Sequence, residues 1–433
     1  MGTKTNTFQI VLIGVFAACI VIGVIVFSKV RGTSGVVFSP VTIWGTISKE
    51  AFDSVYSEVN QARTKKEGAL NVTYVQKGED SFDHDFIEAL ASGVGPDAII
   101  LDQGMLLRHK DKIFPIPFEN FSLRDFKDDY IDESELFVDD TGILGLPFFI
   151  DPMVMYWNRD TFGGNALASP PRLWTEFFGL TEKLTEKDRN NNILRSAVAF
   201  GEFVNVTNAK DILSMLFLQA GNPITKIDNG KLKSSLNSST FLSSASESVL
   251  TFYTEFSNPS KVSYSWNRSM PESKKLFLAG DLALYFGFGS ELSDLRAKNP
   301  NLNFDVAPVP QPKDAKIKVT FGRMYAFAVL KSAKDIAGTF GSVYALADKK
   351  FLVPWVAREN VAPPRRDMLS ENPGNADLKV FYDSAIMSRG WLDPNVAETS
   401  LIFKDLVESI SSGKLRISEA ISRASQNLDS LIE

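Results

Sequence analysis

Hydrophobic and polar positions follow two different rhythms along this chain, and both begin after an uninterrupted apolar run. Residues 8–27 read FQIVLIGVFAACIVIGVIVF, twenty positions without a charge. At about 1.5 Å per residue, a helix of that length covers the roughly 30 Å hydrocarbon core of a bilayer. Lys4 precedes the run, and Lys29 and Arg31 follow it. Secretory signals have shorter apolar stretches of about 7–15 residues, closed by a small-residue cleavage site. An uncleaved transmembrane anchor is therefore expected over residues 8–27. Residues 1–7 form a short tail before it, and residues 28–40, with Gly32, Ser34 and Gly35, form a linker.

The body that follows alternates strand and helix. Residues 41–44 (VTIW) are β-prone and end at Gly45, and residues 48–62 place Phe52, Val55, Tyr56 and Val59 on one helical face. Residues 71–75 and 97–101 read as further strands, with a helix at 86–91 between them. Strand, helix, strand, helix, strand predicts an α/β body with a largely parallel sheet covered by helices. Such sheets leave their ligand-facing loops at the carboxyl ends of the strands. Residues 146–158 (LPFFIDPMVMYWN) are extended and aromatic. Helical spacing then appears at 173–184, 212–221, 246–256, 272–278 and 290–298, with strands expected at 198–206, 304–308 and 319–330. From residue 336 the pattern is mostly helical, ending in an amphipathic stretch at 417–432.

A chain of 433 residues exceeds what one core usually serves, which favours two lobes. A net charge of −6 and the absence of a dense Lys/Arg cluster argue against nucleic acid as a partner. The single cysteine, Cys19, excludes an intrachain disulfide and falls inside the apolar run. Eight apolar residues follow it, where an acylated lipoprotein cysteine would meet polar sequence, so it reads as a plain membrane-embedded residue. Both histidines, His84 and His109, stand among charged residues and read as surface groups. No metal site is expected, because zinc needs about four nitrogen or sulfur ligands at preferred spacings. The acidic stretches 79–85 and 125–133 do not follow calcium-loop spacing. No nucleophile elbow, phosphate loop or assigned carboxylate pair points to catalysis, and no cofactor is expected.

The remaining chemistry lies in aromatics. Of 33 phenylalanines most belong to the core, but three groups sit beside glycines: Trp44-Gly45-Thr46, Phe286-Gly287-Phe288-Gly289 and Phe321-Gly322-Arg323. There the alternatives are backbone approach by a ligand, and turn or packing.

The order of several segments resembles the extracellular solute-binding proteins of ABC transporters, in the branch with maltodextrin-binding and other sugar-binding members. The resemblance spans residues 41–433. It is carried by Gly145-Leu146-Pro147 through Tyr156-Trp157-Asn158-Arg159-Asp160, then Pro170 to Phe177, Leu218-Gln219-Ala220-Gly221, and Phe277 to Leu284. Ala307-Pro308-Val309-Pro310 and the NVAPPR stretch at 360–365 complete it. It implies two α/β lobes of periplasmic-binding-protein type, joined by hinge strands near 150–151, 319–323 and 364–366. Lobe 1 is then 41–150 plus 324–364, and lobe 2 is 151–319 plus 365–433. It also implies orientation, with the lobes on the extracytoplasmic side of the cell membrane and Met1 inside; the single span at 8–27 is expected to tether them there, and a monomer is expected. Its partners would be a small-molecule solute and an ABC transporter permease.

By the same resemblance, Trp44, Thr46, Asp102, Gln103 and Asp151 match ligand-contacting positions, and Glu202 and Asn205 fall near another. Ser290 stands where sugar-binding members often carry a tryptophan, and Ser400 also lacks an aromatic; Trp266, Phe286 and Phe288 are the candidate substitutes. Arg323 either joins the ligand or pairs with a carboxylate across the lobes, and Asp151 either binds ligand or braces the hinge. Trp174 and Trp355 read as packing. A sugar or oligosaccharide is the leading ligand class, ahead of a peptide or polyol. A ligand-sensing ectodomain on the same fold is the competing function, and a secreted hydrolase lacks an acid–base pair.

Overall fold

The computed structural model of the protein describes residues 38–237 and 243–432. The apolar run at 8–27, and with it the expected anchor, lies outside the described residues. Among those residues no helix is long and apolar enough to cross a membrane.

Strand β1 (Val41–Gly45) alternates as its sequence does, burying Val41, Ile43 and Gly45 and leaving Thr42 and Trp44 half-buried. It is flanked in parallel by β2 (Val72–Gln76) and β3 (Ala98–Asp102). The crossovers are the helices Lys49–Ala62 and Phe82–Ala91. The first is capped by Ser48, whose Oγ accepts from the Ala51 N–H at 3.2 Å. Before it, Ser39 Oγ donates to Asp335 at 2.6 Å and the Arg63 guanidinium lies 5.2 Å over the Phe38 ring. The start of the described chain is thus tied down onto this half of the molecule.

A small hairpin, β4 (Val138–Asp139) and β5 (Gly142–Ile143), leads into β6 (Leu146–Asn158), which is buried at every position but Trp157. After it come β7 (Glu186–Lys187), β8 (Ile193–Val198), the pair β9 (Thr225–Asp228) and β10 (Lys231–Ser234), and β11 (Leu282–Phe288). The last three are β12 (Phe304–Ala307), β13 (Thr320–Val329) and β14 (Ser388–Arg389). The main sheet runs β2-β1-β3-β13-β6-β11-β8-β7, with β12 on β6 and β14 on β13.

Two of these strands serve both halves. β6 pairs antiparallel with β13 as far as Pro152, and from Met153 onward it pairs with β11. β13 pairs with β14 at Thr320–Phe321 and with β3 from Tyr325. A third connection forms where Ala362 and Ile150 exchange backbone hydrogen bonds of 2.9 and 2.8 Å. The two lobes are therefore the two ends of one strand-linked sheet.

Each end has its own aromatic core. In the first, Phe148 packs 4.5 Å from Phe327 and 5.1 Å from Trp355 by ring centroids, and Phe52 stacks on Tyr74 at 4.6 Å. In the second, Phe286 lies 5.2 Å from Phe200 and 5.6 Å from Trp174. Trp174 and Trp355 are packing residues, as their sequence context suggested.

One strand sits earlier than the sequence pattern predicted. The expected run at 198–206 is replaced by β8 at Ile193–Val198, because Gly201 takes φ +90° and turns the chain. A Cβ there would lie 2.6 Å from Ser257 Cβ, so both the conformation and the space require glycine.

Phe148 gives a direct check on the first core. Phe148→Ala is expected to cost roughly 3–5 kcal/mol in urea unfolding, since it empties a fully buried aromatic site. Phe178→Ala, at a position 41% exposed, is expected to cost under about 1 kcal/mol. Equal losses would contradict this placement of the core.

Candidate functional site

Register decides which side chains share a face at the crossing of the two long strands. Across β6 and β13, Asp151 stands opposite Arg323 and Phe149 opposite Tyr325. Tyr325 also stands opposite Asp102 at the carboxyl end of β3. Side chains two apart on a strand point the same way. Asp102, Phe149, Asp151, Arg323 and Tyr325 therefore lie on one face where the lobes join.

Each is held. Asp102 caps the helix Gln103–His109, its Oδ1 accepting from the Met105 N–H at 3.0 Å. Asp151 is 5% exposed and accepts from Ser290 twice, from the backbone N–H at 3.0 Å and from Oγ at 2.6 Å. Burial pushes its pKa up to about 6, against those two hydrogen bonds and the Arg323 charge. Burial also raises Asp102, with Arg323 opposing it. The Arg323 guanidinium lies 3.9 Å above the Phe288 ring and donates to Asp211, on the helix Ala209–Gln219. Partial burial opposes its charge, which Asp211 and Asp151 hold. Asp151 is thus braced by Ser290 and Arg323 by Asp211, and the Arg323 side chain is 37% exposed.

Gln103 has a different task. It is 5% exposed, donates through Nε2 to the Gly322 carbonyl at 2.8 Å, and accepts from the Met324 N–H at 2.8 Å. It therefore clamps β13 from the first lobe. Trp44 is half-buried, with Lys77 Nζ 4.0 Å over its ring, and Thr46 is half-buried after the same strand. Ser290 is exposed, with both of its polar groups turned to Asp151.

Glu202, Asn205 and Trp266 form a second group. Asn205 donates to the carbonyls of Asn267 and Met270 at 2.9 Å and accepts from Trp266 Nε1 at 3.1 Å. Glu202 accepts from Arg268 at 3.2 Å, and burial raises its pKa. Trp266 is 0% exposed. The candidate aromatic faces at Trp266, Phe286 and Phe288 are thus all inside the protein here, Phe288 being covered by Arg323.

The glycines beside aromatics resolve towards packing. A Cβ on Gly45 would lie 2.9 Å from Tyr74 Oη, and one on Gly287 would lie 2.6 Å from Tyr285 Cε1. A Cβ on Gly322 would lie 2.8 Å from both Ile150 and Ser388. Protein already occupies the approach at all three. A further correction concerns His109, which is not a surface residue. It is 1% exposed, packs edge-on to Phe86 at 5.0 Å, and its Nε2 lies 2.8 Å from Asp83.

Tyr325 and Asp211 escaped sequence reasoning. Tyr325 was legible as the residue two beyond Arg323 on the same strand, whereas Asp211 sits on a helix whose position only the fold supplies. Among the described residues no three His, Cys, Asp or Glu side chains gather as a metal site.

The family of bacterial extracellular solute-binding proteins matches residues 47–352. The chain belongs to that family. Solved structures share its fold at low identity. A cyclo/maltodextrin-binding protein complexed with maltotetraose superposes with a TM-score of 0.73 at 17% identity, covering 91% of this chain and 98% of that one. A cyclic α-maltosyl-1,6-maltose binding protein from Arthrobacter globiformis gives 0.73 at 16%, with 92% and 99% covered. The sugar-binding protein MalE of Xanthomonas citri gives 0.71 at 17%, with 91% and 97% covered. No curated protein matches in sequence.

Gln103 offers a test of the hinge clamp. Gln103→Ala is expected to lower stability by about 2 kcal/mol in urea unfolding, because it orphans a buried carbonyl and a buried N–H on β13. A loss below about 0.5 kcal/mol, the size of an ordinary surface change, would show that β13 does not depend on it.

Proposed function

We propose that this solute-binding protein captures a sugar or short oligosaccharide between its lobes and delivers it to an ABC importer by hinge closure. The observation that carries this is the polar set Asp102, Asp151, Arg323 and Tyr325, gathered where the two lobes join. Carboxylates accept from paired hydroxyls, and a guanidinium donates to ring and hydroxyl oxygens in a fixed fork. The fold adds support, since its solved neighbours include proteins bound to maltotetraose, mannotriose and acarbose.

In this reading β6, β13 and the 362–365 connection bend while the lobes move as bodies, and closure buries the ligand between walls from both. Asp102 comes from the first lobe, Ser290 and Asp211 from the second, and Asp151 and Arg323 from the strands between. Trp44, half-buried, is the one candidate aromatic of the set outside the fully buried core. Recognition is therefore mainly polar, and the solute leaves chemically unchanged.

Residues 8–27 anchor the protein, with residues 1–7 inside and the lobes outside the cytoplasmic membrane. The linker reaches the first lobe, where Phe38 and Ser39 are held. The protein acts as a monomer beside its permease.

Two measurements test this reading. Anything that binds only the folded state stabilises it, by about 2.7 kcal/mol at a hundredfold excess over Kd. Differential scanning fluorimetry of the full chain in detergent is expected to give an upward Tm shift with maltotetraose or mannotriose and none with a tripeptide. No shift at millimolar concentration with any sugar would overturn the sugar reading. The anchor predicts that the full chain stays with membranes through alkaline carbonate washing, and that removing residues 1–37 releases the body; release of the full chain would contradict it.

A further inference from the structure

One buried acid at the seam between the lobes takes no part in the ligand site. Glu133, in the helical turn Asp132–Phe137, is 2% exposed, and its Oε1 has no hydrogen-bond partner. That turn belongs to the first lobe: the Phe137 carbonyl accepts from the Leu144 N–H at 2.7 Å, just before β6. What covers the carboxyl comes from the other side. Gly390 presses against it so closely that a Cβ would collide with Glu133 Oε1 and lie 3.0 Å from Gln103 Nε2. Gly390 follows β14, which pairs with the Thr320–Phe321 end of β13, and its neighbour Trp391 donates to Ser214 on the helix Ala209–Gln219. Gly390 therefore travels with the second lobe.

The cations around Glu133 are already committed. On its own turn, Asp132 takes both Arg366 and Arg389, and Glu135 takes Lys127. From β14 the facing charge is Arg389, given to Asp132. β13, which also packs on this turn, carries Arg323, given to Asp211, and the neutral Tyr325. From the helix Gln103–His109 they are Arg108 and His109, both on Asp83. The Gly390 N–H and the Arg389 charge favour the ionised form, but burial outweighs them and the pKa is pushed up to about 8.

We propose that Glu133 is a proton-operated catch between the lobes, neutral and covered by Gly390 when they are closed, ionised and hydrated when they part. An unpaired carboxylate is costly away from water, whereas the neutral acid is tolerated. Opening withdraws Gly390 and lets water reach the carboxyl, which returns to its ordinary range near 4.5. Closing is then coupled to proton uptake. The sign follows from the raised value where Gly390 covers the carboxyl: the coupling favours the covered arrangement below pH 8 and is lost as pH rises through it. Between pH 7 and pH 9 the closure equilibrium weakens about tenfold. Asp151 contributes in the same direction only near pH 6, and His109, its pKa lowered by burial, is neutral throughout this window. Asp102, which burial also raises, lies at the same seam, so the contribution of Glu133 is isolated by comparing it with Glu133→Gln.

The test needs no ligand, so it stands apart from the sugar reading. In a full-length Cys19→Ser background in detergent, Ile87→Cys in the first lobe and Val262→Cys in the second, 53% and 70% exposed, carry nitroxide labels. Double electron–electron resonance at pH 7, 8 and 9 reads the distance between them. The short-distance population is expected to fall with rising pH for native Glu133 and to stay constant for Glu133→Gln, which mimics the neutral acid. A distribution that does not change with pH in the Glu133 protein overturns the proposal, whether or not the Gln variant folds. So does a Gln variant that titrates like the native residue.

Discussion

The long strand β6 is the constraint on which the rest depends. Thirteen residues are buried at all but one position, and the strand changes partner midway, from β13 to β11. A strand so placed must satisfy its backbone in both lobes at once, because buried N–H and carbonyl groups cannot be left unpaired. The register that achieves this also puts Asp151 opposite Arg323. Hinge and candidate site are therefore the same few residues, and a movement of the lobes necessarily acts on the groups that would meet a ligand.

Charge at this place is managed by burial and pairing together. Asp102, Asp151 and Asp211 surround one guanidinium, and that guanidinium is further held against the Phe288 ring. Burying like charges is tolerable only when cations and hydrogen bonds offset the lost hydration. Ser290, exposed and at the start of the helix Glu291–Lys298, supplies both hydrogen bonds to Asp151.

Much of the architecture was legible from periodicity. The alternating strand at 41–45, the apolar helical face with Phe52, Val55 and Val59, and the extended aromatic stretch of β6 each predicted the element found. What failed was anything set by distant chain segments. The strand expected at 198–206 gave way to β8 because Gly201 turns the chain against Ser257, a neighbour 56 positions away. His109 read as exposed from its charged neighbours, yet Phe82 and Phe86 enclose it. The glycines beside aromatics read equally as ligand approach or packing, and only the three-dimensional neighbours Tyr74, Tyr285 and Ile150 decide for packing. Site residues followed the same division. Asp102, Asp151 and Arg323 come together by strand register, whereas Glu202, Asn205 and Trp266 assemble into a separate buried network.

The central claim is that a solute is held where β3, β6 and β13 meet. Hydrogen exchange of the full chain, with and without maltotetraose, tests it most directly. Slower exchange is expected at 102–105, 149–151, 288–291 and 322–325 when the sugar is present. Unchanged exchange in these four segments, or protection confined to 202–205 and 266–268, would contradict it.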